Sequence, residues 1–218
     1  MNQQQRLQKA VDNEPVPRDL EARVRTRLGR SPRRGTSGWG RLASSIALLV
    51  FMLGGTQYYV VTKTRELLRV GLDDHVHCAI EGEYPRQTSK AAGIEALGPY
   101  SPMLQPVLDQ LAGDSLVSAH RCTVNGRDYV HMILRRNNML ISVIMTRREK
   151  ADAFPRAIGM RTFEASGIPV HGGDMSGYAV AGFEAGNYLG YVVSGLPGQQ
   201  NDQLAGRVAP VIRRYTGA

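Results

Sequence analysis

A chain of 218 residues, 42 % of them hydrophobic, is long enough for one domain with a true core plus additional segments. Two cysteines and five histidines exclude a disulfide-dense scaffold. The formal charge of +8 is uneven: residues 1–41 hold ten Lys/Arg against four Asp/Glu, whereas residues 62–218 hold seventeen against fifteen. A basic segment of that kind invites a nucleic-acid reading, but no aromatic stacking platform accompanies it, so nucleic acid is not expected as a partner.

Residues 1–38 read as a cytoplasmic basic helical arm and linker. Gln3–Val11 is polar with few breakers, and Pro15–Pro17 interrupts it. Asp19–Leu28 then carries Leu20, Val24 and Leu28 at i, i+4 and i+8, a narrow apolar stripe that suits a docking helix for a protein partner or a membrane surface. Ser31–Gly38 has the composition of a flexible linker.

Leu42–Val61 contains twenty residues and no charge. A bilayer core needs about 20 apolar residues in a helix, because only a helix satisfies its own backbone groups there. Arg41, Lys63 and Arg65 bound the run, and Trp39, Tyr58 and Tyr59 sit where interfacial aromatics sit. Residues 39–61 are therefore predicted to form a single transmembrane helix. The basic arm places the N-terminus in the cytoplasm and the rest outside, in a bacterial inner membrane with a periplasmic or extracellular domain. Forty-one preceding residues and no convincing cleavage site argue for an uncleaved anchor rather than a signal peptide.

Residues 62–74 are predicted as a helical stalk and 75–218 as the exported domain. Ser101-Pro102 predicts a helix start, with the serine as N-cap and a helix to Leu111. Leu116–Val124 and Arg127–Arg135 flank Asn125-Gly126, a strong hairpin signal. Met139–Thr146 follows as a third strand, Ala151–Ala157 as a helical turn, and Gly177–Glu184 with Asn187–Ser194 as a second hairpin. Asn201–Tyr215 closes the chain as an amphipathic helix. Meandering strands bracketed by helices define an α+β class with an antiparallel sheet.

Six of the seven histidines and cysteines fall in two short segments, His75-x-His77-Cys78 and His120-x-Cys122 with His131. If Asn125-Gly126 is a two-residue turn, Val124 faces Arg127, Cys122 faces Tyr129 and His120 faces His131. His120, Cys122, Tyr129 and His131 then share one face of the hairpin. Three outcomes stay open. Cys78 and Cys122 could form a disulfide, closing a loop of about 45 residues for roughly 4 kcal/mol, and that bond could serve as a redox switch. His75, His77, Cys78, His120, Cys122 and His131 could supply ligands to a transition metal or haem. The thiols and imidazoles could also simply be packed. Asp73 and Asp74 could orient an imidazole, and His171 before Gly172-Gly173 reads as a loop residue. With no glycine-rich phosphate loop, no G-x-S-x-G around Ser194 and no paired carboxylates, no enzyme is expected.

The layout resembles a family. VPRDLEARVRTRL, one membrane span, and the outer strings DHVHCAI, HRCTVNGRDYVHMIL and GYAVAGFEAGNYLGYVVSGL are similar to membrane-anchored anti-sigma factors. The resemblance implies a cytoplasmic part that holds a sigma factor or another cytoplasmic regulatory protein, and an outer domain that reports envelope conditions. The family's frequent H-x-x-x-C-x-x-C zinc motif is absent, since residues 1–61 contain neither His nor Cys.

Overall fold

The computed structural model describes residues 19–29, 38–82, 89–124, 126–150, 152–155 and 161–217. The predicted helix at Gln3–Val11 and the linker at 31–37 lie outside them. The chain divides into two units, residues 1–51 and 52–218. The first contains helix α1 (Leu20–Gly29) and the opening turns of the long helix α2 (Gly38–Asp74). On α1, Val24 is exposed, while the side chains of Leu20 and Leu28 lie outside the description.

Among the described residues, no helix is long and apolar enough to cross a membrane. The side chains of residues 38–47, which include the start of the charge-free run, lie outside that description. The backbone of α2 is helical throughout the run, and the side chains of Leu48–Leu53 are between 61 % and 78 % exposed.

The second unit is an α+β domain built on one seven-stranded antiparallel sheet. Strands β1 (Ser115–Val124), β2 (Arg127–Arg136) and β3 (Met139–Arg147) form one meander. Strands β4 (Arg161–Ala165), β5 (Ile168–Met175), β6 (Tyr178–Ala185) and β7 (Tyr188–Ser194) form a second, and β3 pairs with β7 to give the order β1-β2-β3-β7-β6-β5-β4. The expected register of the first hairpin is present, with Val124 opposite Arg127, Cys122 opposite Tyr129 and His120 opposite His131. Gly126, at φ 76°, supplies the left-handed residue that such a tight turn requires.

Each face of the sheet is covered. Helix α5 (Gly198–Thr216) lays Leu204, Ala205, Val208 and Ile212 over one face, joined by α3 (Lys90–Leu97), a 3-10 segment (Gly98–Met103) and α4 (Leu104–Gln110). Val130, Met132, Leu134, Val143, Phe183 and Val192 face them. The opposite face takes Leu67, Leu68 and Leu72 of α2 against Ile144, Val180, Tyr191 and Val193. Residues 62–74 are thus a structural layer of the domain rather than a free stalk. At Gly71 the approach is so close that a Cβ would lie 2.6 Å from the Tyr191 ring, so only glycine fits.

Several local expectations change. Ser101 does not cap a helix, because 3-10 structure already begins at Gly98. The capping serine is Ser89, whose hydroxyl accepts from Ala92 N at 3.2 Å to open α3. Residues 152–155 form no regular helix. His171 belongs to β5 rather than to a loop: it is 2 % exposed and stacks on Phe154 with ring centroids 4.9 Å apart.

Candidate functional site

Helix α2 ends at Asp74 and runs directly into a π-helical segment, His75–Ile80, sealed by the Glu81 N–H donating to Val76 O at 2.9 Å. A wider turn changes which residues share a face. Here Asp74, His75, Cys78 and Ala79 are all buried. His77 points outward, half-exposed, with Nδ1 3.7 Å from Glu81. The segment carries Asp74, His75 and Cys78 onto the face of the sheet that presents His120, Cys122, His131 and Ser142.

Of the six predicted ligands, Cys78, His120, Cys122 and His131 come together, each offering a ligand atom within 4.8 Å of the others. The two sulfurs lie 3.6 Å apart and are free thiols, not a disulfide. In a tetrahedral zinc site with sulfur bonds of about 2.3 Å, two thiolates stand roughly 3.8 Å apart. The spacing therefore fits two sulfurs on one ion. Donor atoms gathered this closely enclose the volume of an ion, not of a macrocycle, so the set fits a bare metal better than haem.

Asp74 is the polar partner of three of the four, reaching Cys78 Sγ at 3.8 Å as well as Cys122 and His131. Its Oδ2 lies 2.9 Å from His131 Nδ1 and its Oδ1 lies 3.4 Å from Cys122 Sγ. The expectation that an aspartate orients an imidazole thus falls on Asp74 and His131, whereas Asp73 lies beside Arg69 at 3.7 Å. On the far side of its ring, His131 Nε2 is 2.7 Å from Ser142 Oγ, which is 2.6 Å from His75 Nδ1. Ser118 Oγ lies 3.2 Å from His120 Nδ1.

The protonation pattern follows from these neighbours. Burial alone would strip the proton from His131, but the Asp74 carboxylate and Cys78 outweigh it and raise its pKa to about 9. Burial, with the charge of His131 nearby, lowers His75 to about 4. A charged His131 then donates from Nε2 to Ser142, and Ser142 donates to the bare Nδ1 of neutral His75. His75 Nε2 is left buried without a hydrogen-bond partner. The hydrogen bond from Cys122, assisted by His120 and His131, pulls the Cys78 thiol well down against the effect of burial. The same pairing, with burial and Asp74, pushes the Cys122 thiol up. One sulfur is therefore held ready as the thiolate that metal binding requires.

Asp74, His131 and Ser142 also match the atom order of an acyl-transfer triad. All three are 0 % exposed, and His131 already holds its proton at neutral pH, so it cannot act as the base toward Ser142.

Ser142 was missed by sequence reasoning. The available signal was a lone hydroxyl inside the apolar strand Leu140–Met145, at the position opposite Ile133.

No family model, curated protein or solved structure matches the chain.

Proposed function

We propose that this protein is a single-pass membrane regulator whose exported domain binds a transition-metal ion through Cys78, His120, Cys122 and His131. The observation that carries the reading is the convergence of these four ligand atoms within 4.8 Å, drawn from the π segment and both strands of one hairpin. Imidazole with thiolate suits zinc or a cuprous ion, and an ion arriving there would displace the proton that Asp74 holds on His131. A metal bound there would supply a fixed positive charge that neutralises the thiolates and ties the π segment to the hairpin.

The membrane assignment rests on the charge-free Leu42–Val61 and its basic and aromatic flanks. The six consecutive exposed apolar side chains at Leu48–Leu53 give α2 an apolar surface on every side, which suits lipid rather than water. The resemblance to anti-sigma factors gives the arm its role. Metal occupancy would bias the end of α2, and α1 would present Leu20, Val24 and Leu28 to a sigma factor or another cytoplasmic regulator.

Metal analysis and thiol alkylation of the full-length protein, purified natively in detergent, test the site. The expected result is about one zinc or copper per chain, with both thiols shielded until a chelator is added. Thiols that alkylate at once in metal-free protein would overturn it. The 3.6 Å sulfur separation supports a second reading, a redox pair. Resistance to alkylation that yields only to a reductant would assign that one instead. Deleting residues 1–30 tests the regulatory half: transcription should change in the host cell, and unchanged transcription would leave a tethered metal-binding module.

A further inference from the structure

The far end of the β1–β2–β3 meander opens into a cleft of about 540 Å3, bordered by Cys122 of the metal cluster and within the range of small-molecule sites. Its walls carry both charge and apolar surface. Val130 and Met145, both buried, give it apolar surface, and Tyr100 and Tyr188 stand at one side with their hydroxyls 3.3 Å apart and their rings edge to face.

The acidic side chains lining the cleft are already occupied. Asp128 accepts from the Thr123 hydroxyl at 2.7 Å, and Glu149 lies 3.0 Å from Arg127, which also pairs with Asp152. The basic ones are not all matched. Arg121 uses Nε to reach the Ala96 carbonyl at 3.2 Å, which parks its guanidinium beside the end of α3. Among the described residues, neither Arg121 nor Arg147 pairs with a carboxylate. Both guanidinia act electrostatically on the Tyr100 hydroxyl, and both line the cleft. Two guanidinia without a carboxylate partner and two phenol hydroxyls around an apolar surface form a receptor for an oxyanion attached to an apolar body.

We propose that this cleft binds a small organic anion, with its carboxylate or phosphate between Arg121 and Arg147 and its apolar part against Val130 and Met145. Arginine forks match either oxyanion, so the probes must separate them. The phenol hydroxyls of Tyr100 and Tyr188 can each donate to the bound oxygens, and their rings can flank the apolar part.

The experiment is calorimetric titration of the full-length protein in non-ionic detergent with benzoate, phenyl phosphate and inorganic phosphate, each with and without chelator. One aromatic anion should saturate a single site with a Kd between about 10 μM and 1 mM, and inorganic phosphate should bind at least about tenfold more weakly. Whichever aromatic anion binds identifies the oxyanion. Arg121→Gln and Arg147→Gln should each weaken binding about tenfold or more. Arg135→Gln, outside the cleft, should not, and all three variants should keep the wild-type circular dichroism. Absence of saturable binding by either aromatic anion up to about 10 mM would overturn the proposal. So would unchanged affinity in the R121Q/R147Q double variant. Anion binding that persists under chelator separates this site from the metal cluster.

Discussion

The two faces of the sheet solve different problems with the same seven strands. Toward α5, Val130, Met132, Val143, Phe183 and Val192 meet Leu204, Val208 and Ile212, and the buried polar groups there are few, with Asp202 Oδ1 the one left without a partner among the described residues. Ser194 donates to Asn201 Oδ1 at 2.7 Å, and Asn201 donates onward to the Val192 carbonyl at 2.9 Å. Toward α2, the β1–β3 half presents His120, Cys122, His131 and Ser142, which Asp74, His75 and Cys78 join as one connected cluster, leaving His75 Nε2 without a partner. Burying such groups costs free energy that an apolar substitute would not. The first face is built for stability, and the second gives some of it up in exchange for chemistry.

That contrast can be broken from either side. The largest effect should come from the apolar face, where Phe183→Ala removes a fully buried ring and is expected to cost about 3–5 kcal/mol in urea unfolding, with or without chelator. On the polar face, Asp74→Asn deletes the carboxylate that keeps His131 charged. Its expected cost is about 3 kcal/mol in metal-free protein, measured by urea unfolding in the presence of chelator. Chelation of the wild-type protein should lower its stability by about 2.7 kcal/mol relative to protein held at a hundredfold excess of metal over Kd. The Cys78→Ala/Cys122→Ala variant should show no such response.

A smaller effect is expected from pH. His75 and His171 both have lowered folded-state pKa values, chiefly through burial. Unfolded chains then bind more protons than folded ones below the ordinary histidine value of about 6.5. Stability should therefore fall as pH drops from there toward the His75 value of about 4. His171→Leu should flatten part of that acid limb and leave the His75 share, as read from thermal midpoints across pH. The smallest effect belongs to exposed Val24: Val24→Ala should shift stability by less than about 0.5 kcal/mol. A change in transcription from that variant would sharpen the docking role of α1.

The sequence made one part of this polar face legible and hid another. Asn125-Gly126 sets the hairpin register, and register alone places His120, Cys122 and His131 on one face. It does not say that α2 lies over that face, because helix packing on a sheet is a tertiary choice. Asp74 and Cys78 joined the cluster only once that helix was in place. The π segment is equally hidden, since His75–Ile80 carries no local signature of a wider turn. On the second meander, Pro169 argues against a central strand, and His171 before Gly172-Gly173 reads as a loop residue. Pairing supplied by β6 overrides those signals and draws His171 inside.

The fit of Gly71 against Tyr191 also makes α2 a ruler. From Val61 at the end of the charge-free run to Asp74 at the cluster, the helix spans roughly 20 Å at its usual rise. Inserting or deleting one residue between Leu67 and Asp74 would rotate everything beyond it by about 100°. The change would strip Leu67, Leu68 and Leu72 from the sheet or carry Asp74 away from His131. This stretch can vary in the composition of its outer face, but its length is fixed.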